Sequence, residues 1–349
     1  MCPARRRRIY SRVVNPGLAI AIGLAFAFAL TNGFHDASNS IATLVATRAA
    51  TPLQAVLLAS VFNMLGPILV GSAVAATIAG IVQVPADETI AVIGAGLLGA
   101  TSWNLLTWWR GLPSSSGHAL VGGLVGAALV EGGTAAVNWG GFNGWHPVGV
   151  IGTLVALAIS PVLGGIAAFV TLRLLRRALS RGSARLRAPV NRSQWAGAAV
   201  LAFSHGSNDA QKAIGLVAAL LVAGGKTESL SAPLWVTLGS GAALTLGTVL
   251  GGWRIVKTIG RRIYRIRALD GFSSQAGSSA VILGASFLGA PVSTTHVVSS
   301  SIVGIGAGRR RWHHVRWAIV RDIGLAWLTT IPAAAALAAG AFSIWRWVG

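Results

Sequence analysis

Charge is what this chain most lacks. Charged residues make up 10% of its 349 positions and only eight are Asp or Glu, whereas a soluble domain carries about 25%. Such a chain cannot cover a water-facing surface of ordinary composition. With 54% hydrophobic residues and a mean hydropathy of +0.68, it reads as an integral membrane protein. Cysteine is nearly absent too: the single Cys2 excludes an internal disulfide and a cysteine-rich metal cluster. Because acids are so few, the 28 Lys and Arg leave a formal charge of +20. In a soluble protein that excess would suggest nucleic acid, but here it sits in short clusters between apolar runs and reports topology instead. No nucleic-acid partner is expected. Glycine is abundant, at 45 residues, nearly twice its usual share of about 7%, as expected where helices pack closely or break inside a bilayer.

Arg5 to Arg8, the apolar run behind them and the Ala27-Phe28-Ala29 triplet imitate a secretory signal peptide. Cleavage there is not expected. It would remove half of a helix whose counterpart, Trp195 to Phe203, lies deep in the chain. At roughly 20 apolar residues per crossing, segments fall near 18–47, 53–82, 90–109, 116–131 and 147–172, then near 194–223, 233–253, 272–289, 292–307 and 318–345. The expectation is an all-α polytopic membrane protein of about ten transmembrane segments in two inverted repeats of five. Residues 1–172 form the first repeat, 173–192 a basic cytoplasmic linker and 193–349 the second. With both termini outside, the inner loops hold 20 of the basic residues and the outer side seven, the asymmetry expected of cytoplasmic loops in a plasma (inner) membrane. The N-terminal arginines are the one cluster that disagrees.

Two motifs recur. Asn32-Gly33-Phe34-His35-Asp36-Ala37-Ser38-Asn39 is echoed by Ser204 to Lys212, with Asp36 and Asp209 separated by 173 residues. Gly111 to His118 (GLPSSSGH) is echoed by Gly289 to His296 (GAPVSTTH), 178 residues apart, and Ser160-Pro161 by Ile331-Pro332, 171 apart. Three echoes at nearly one offset indicate an internal duplication, and inverted duplicated halves are a transporter signature with substrate bound near the midplane, where broken helices and hairpins meet.

Asp36 and Asp209 interrupt runs of Ala, Leu, Ile and Val, and a carboxylate at the bilayer centre costs about 2.5 to 3.5 kcal/mol on insertion scales. Each aspartate could simply cap a broken helix, but Ser or Asn would cap without a charge. The stronger reading is cation coordination or protonation, with Asn39 and Asn208 as oxygen donors of the kind hard cations take. Proline followed by Ser/Thr at the start of a short helix leaves first-turn N–H groups and hydroxyls free for an oxyanion; otherwise those hydroxyls merely pack helices. The run from Ser116 to Val130 spans roughly 22 Å, short of the roughly 30 Å hydrocarbon core, so it is expected to begin inside the membrane. His35 stands beside Asp36, where a proton relay fits. His118 and His296 are weighed evenly as structural residues, and Lys212 is read as neutralising Asp209.

The strings NGFHDASN (32–39), WNLLTWWRGLPSSSGH (103–118), FSHGSNDAQKAIG (203–215) and PVSTTH (291–296) resemble those of the Pit-type inorganic phosphate transporter family over nearly the whole chain. The resemblance implies secondary active uptake of inorganic phosphate by symport with a cation, a proton in preference to sodium. It implies no catalytic residues and no cofactor. Carried over, Asp36, Asn39, Asn208 and Asp209, with His35, are the coupling residues, where sodium would also bind. Ser115, Ser116, Gly117, Ser293, Thr294 and Thr295 are the phosphate donors. The partners expected are inorganic phosphate, alone or as a metal–phosphate complex, and membrane lipid; a homo-oligomer is left open. Two departures stand out: His35 replaces an Asn usual in sodium-coupled relatives, and Gly117 stands where a hydroxyl residue is usual. The alternatives are a sulfate or other oxyanion transporter of the same fold, an intramembrane serine hydrolase using His118 or His296, for which no G-x-S-x-G turn exists, and a passive anion channel.

Overall fold

The structure is a computed structural model, and it describes residues 16–143, 146–180 and 187–348. The N-terminal arginine cluster and the centre of the basic linker lie outside the described residues. Six helices, α1 (Pro16–Ala46), α2 (Pro52–Leu69), α3 (Ala73–Ala79), α4 (Ala86–Arg110), α5 (Ser116–Gly132) and α6 (Gly149–Ala178), are followed by six more. These are α7 (Arg187–Ala223), α8 (Leu234–Leu250), α9 (Trp253–Lys257), α10 (Ala268–Phe287), α11 (Thr294–Gly308) and α12 (Trp317–Val348), so the second set repeats the order long, broken, medium, short, long. The one departure from all-helical structure among the described residues is a two-stranded antiparallel hairpin, β1 (Gly141–Asn143) with β2 (His146–Val148), beside an isolated bridge between Val82 and Val137.

Local chemistry sets the helix ends. Thr51 and Gln54 form a reciprocal capping box ahead of Pro52, which starts α2. Helix α4 opens with Asp87 and Glu88 at its positive end and stops where Gly111 turns left-handed at φ 67°. The segment read as 53–82 is interrupted between Leu69 and Ala73, and 233–253 bends by 61° between α8 and α9. By contrast, α1 and α7 run unbroken through both aspartate motifs. Asp36 and Asp209 are therefore not helix caps. The basic stretch 173–192 is largely the end of α6 and the start of α7.

Among the described residues, α1, α2, α4, α5 with the 3-10 turn after it, α6 and α12 are long and apolar enough to cross a bilayer, and the bent pair of α8 and α9 is either a seventh, broken span or a re-entrant loop. The ten-segment count is not reached by length and apolarity alone, because α11 has only 15 residues and α7 and α10 carry many polar side chains.

The main helix-to-helix contacts persist when each helix is replaced by its counterpart. Helix α1 packs on α8 as α7 packs on α2, α5 on α12 as α11 on α6, and α4 on α12 as α10 on α6. The equivalent helices α1 and α7 run antiparallel. Thr47, just past the end of α1, donates to Gln194 near the start of α7 at 2.7 Å, whereas Leu18, at the start of α1, lies beside Gly224 past the end of α7. The close α1–α8 and α7–α2 crossings need glycine. A Cβ on Gly33 would strike the Leu244 carbonyl, and one on its counterpart Gly206 the Asn63 carbonyl.

Two large apolar cores result, with a small third of Ala29, Ala213 and Ala243. One gathers Leu18 to Phe28 of α1 with Ile214 to Leu221 of α7; the other gathers Ile41 and Leu44 with Ala198 to Ala202. Between them, both helices are buried and polar: Thr31, Asn32, His35, Asp36, Ser38, Asn39 and Ser40 face the level of Ser204, His205, Ser207, Asn208, Asp209, Gln211 and Lys212. The fold thus sandwiches the motifs in a polar layer within an apolar body.

Candidate functional site

Helices α5 and α11 begin at this polar layer. Each starts after an extended serine, Ser115 or Ser293, whose side chain accepts the N–H of His118 or His296 at 3.2 Å. The two caps are the same structure used twice. They bring Ser116 and Thr294, the first residues of the two short helices, to the two aspartates.

Asp36 is 1% exposed. Its carboxylate accepts the Ser116 hydroxyl at 2.8 Å and the Thr295 hydroxyl at 2.8 Å, one from each half of the chain. His35 Nδ1 lies 3.0 Å from the same carboxylate, and its Nε2 is held by Thr107 and Ser114 at 3.2 and 3.3 Å. Ser114 is thus one step from the carboxylate. Asn39 donates to the Thr294 and Thr295 hydroxyls at 3.3 and 3.2 Å. The Asn32 side-chain amide lies 2.7 Å from the same Ser116 hydroxyl.

Asp209, also 1% exposed, accepts the Thr294 hydroxyl at 2.9 Å, as Asp36 accepts that of Ser116. Its histidine is His205, whose Nε2 lies 2.9 Å away and whose Nδ1 meets Asn63 at 3.0 Å. At the fixed offset of 173 residues, Asn32 and His35 become His205 and Asn208: the two residue types change places, and each aspartate keeps one imidazole. The remaining oxygen of Asp209 pairs with Lys212.

An oxygen of Asp36, an oxygen of Asp209 and a ring nitrogen of His205 lie within 4.8 Å of one another. Two carboxylates against one ammonium leave the cluster at a formal −1 when its histidines are neutral. An uncompensated buried charge costs several kcal/mol, so the cluster favours one more cation. Among the described residues, the motif asparagines Asn32, Asn39 and Asn208 each keep one buried amide atom without a hydrogen-bond partner, and each such atom costs about 1–3 kcal/mol. The unpartnered Asn39 and Asn208 oxygens are of the kind that hard cations take.

The structure therefore gathers Asp36, Asp209, His35, Asn39, Ser116, Thr294 and Thr295 into one bonded cluster. Ser115 and Ser293 serve as caps beneath it. Gly117 lies beside the Lys212 side chain. Asn208 is not bonded to either carboxylate; it donates to Ser286 and to the Ala290 carbonyl, fastening α7 to the loop before α11. The His118 ring lies tilted against His296 with centroids 4.5 Å apart, and His296 stacks on Trp327 at 3.7 Å; no hydrogen bond joins either imidazole to a serine among the described residues. Sequence reasoning missed Asn32, Asn63 and Thr107 as partners. Asn63 lies outside every quoted string and was marked only by its polarity inside an apolar helix, whereas Thr107 lies in the string 103–118 but outside its duplicated part.

A profile described as the phosphate transporter family matches residues 32–338. The chain is 40% identical over 324 residues to a probable low-affinity inorganic phosphate transporter of Bacillus subtilis (strain 168), covering 92% of this chain and 94% of that protein. It is 39% identical over 326 residues to a protein of the same description from Rhizobium meliloti (strain 1021), covering 93% and 95%. Among solved structures, one titled "The sodium-dependent phosphate transporter" superimposes with a TM-score of 0.84 at 26% identity, over 95% of this chain and 100% of that one.

Proposed function

The chain belongs to the phosphate transporter family, and from that premise we propose that it carries inorganic phosphate inward across the plasma membrane by symport with a cation, its termini outside and its basic linker in the cytoplasm. One observation carries the mechanism. The hydroxyls of Ser116 and Thr295, which sit where the short helices present their positive ends, donate to Asp36, so the donors suited to an oxyanion are held by a carboxylate suited to a cation.

A proton or sodium ion arriving at Asp36 takes over that carboxylate, helped in the case of sodium by the free Asn39 oxygen. Ser116 and Thr295 are then released to turn toward phosphate, joined by first-turn N–H groups such as that of Gly117. Without the cation, an anion would meet a cluster already at −1. Binding of each co-substrate thus favours the other, which is the thermodynamic content of coupling. Ser115 and Ser293 keep their own O–H groups to donate while capping their helices. His35 links Asp36 to Thr107 and Ser114 and supplies a route for a proton. The relatives, being transporters, weigh against the hydrolase reading.

Phosphate at neutral pH still bears a proton and can donate to a carboxylate, whereas sulfate cannot. Radiolabelled phosphate uptake into proteoliposomes should therefore resist excess sulfate. Equal competition by the two anions would make the protein a general oxyanion carrier.

A further inference from the structure

The two halves of the site break symmetry at two positions, and the two breaks touch. At the offsets already used, Asn39 corresponds to Lys212 and Thr295 to Gly117. On the Asp36 side, the chain of bonds runs from the Asn39 amide to the Thr295 hydroxyl at 3.2 Å and on to the carboxylate at 2.8 Å. On the Asp209 side, residue 117 has no side chain and the Lys212 ammonium pairs with the carboxylate directly. A Cβ on Gly117 would stand 3.3 Å from Lys212 Nζ and 3.7 Å from its Cε. The ammonium occupies the space that the missing hydroxyl would need.

The surroundings of Nζ resemble a cation's. Besides the Asp209 oxygen, it has the Val292 carbonyl oxygen at 3.3 Å, and the side chain is 1% exposed. Carboxylate and carbonyl oxygens are what hard cations take. We propose that Lys212 is a tethered cation, filling on the Asp209 side the place that a coupling cation takes on the Asp36 side, so that the carrier takes one exogenous cation per cycle instead of two. This rests on Asp36 being the coupling site, as argued above. Lys212 and Gly117 then act as one unit: an Asn at 212 would call for a hydroxyl at 117 and a second ion from solution.

The test counts sodium ions bound by the purified full-length chain in detergent, by equilibrium dialysis with radioactive sodium at saturating phosphate. The unaltered chain should bind no more than one, and two would overturn the proposal without any variant being needed. Lys212→Asn combined with Gly117→Thr, which copies the first half, should bind one more than the unaltered chain. Lys212→Arg, which keeps the charge, should bind the same number. An unchanged count in a double variant that retains its melting transition, or an extra ion in Lys212→Arg, would overturn it. Failure of the phosphate reading would appear separately, as absent phosphate uptake by the unaltered chain, and would leave the difference in ion count intact.

Discussion

Replacing Thr295 by Val keeps a branched side chain and removes one hydroxyl. That hydroxyl donates to Asp36 at 2.8 Å and accepts from Asn39 at 3.2 Å. Asn39 still has Thr294 at 3.3 Å, so the change does not strand the amide. A hydrogen bond to a charged group contributes about 1.5 to 3 kcal/mol, and each 1.4 kcal/mol is a factor of about ten. If the hydroxyl serves Asp36 before the cation arrives and phosphate afterwards, its removal acts twice with opposite signs. The coupling cation no longer competes with the hydroxyl for the carboxylate, so its affinity without phosphate should rise roughly ten- to a hundredfold. Phosphate affinity at saturating cation should fall by a similar factor. Cation affinity is read from ion-dependent thermal protection of the purified protein, and phosphate affinity from the concentration dependence of uptake into proteoliposomes. A parallel loss of both affinities, or no change in either, would refute the exchange of hydroxyls between carboxylate and anion.

Other outcomes follow from the same geometry. Asp209→Asn strands the buried Lys212 ammonium, which should cost about 3–5 kcal/mol of stability, seen as a lowered melting temperature that Asp209→Asn with Lys212→Met restores; Asp36→Asn, which strands no Lys or Arg and removes the cluster's uncompensated charge, should melt no lower than the unaltered chain. Gly117→Thr alone places a Cβ 3.3 Å from Lys212 Nζ, so it should reduce phosphate uptake through a weakened Lys212–Asp209 pair and recover when Lys212→Asn is added. With Cys2 replaced, a cysteine at the exposed position Ser180 should react with an impermeant thiol reagent only from the cytoplasmic side, and one at the exposed position Lys226 only from outside; labelling of both from one side would overturn the proposed orientation.

The parts of the site that could be read from the sequence are those that violate the chemistry of their surroundings. Asp36 and Asp209 stood out because a carboxylate inside an apolar run demands a reason, and both lie at the centre of the cluster. Ser116 and Thr294 stood out because the same serine-capped start follows a proline in each half. Continuity was harder to read. Gly33, Ser38 and Asn39 look like helix breakers, yet α1 passes through them, since the glycine serves a close crossing with α8 and Asn39 bonds sideways to α11. The interruption after Leu69 had no comparable polar signal. Contacts between distant segments were the least legible: that Asn208 turns to Ser286, that Ser114 reaches His35, and that Lys212 fills the space beside Gly117 depend on how the two halves interlock, which one residue's chemistry does not disclose.

The most direct test of coupling at Asp36 is phosphate uptake into proteoliposomes under separately imposed inward pH and sodium gradients, for the unaltered chain and for Asp36→Asn. Uptake by the unaltered chain should accelerate under one of the two gradients and collapse when it is dissipated, while Asp36→Asn, correctly folded, should show no response to either. Phosphate uptake indifferent to both gradients, or a gradient response preserved in Asp36→Asn, would contradict the account.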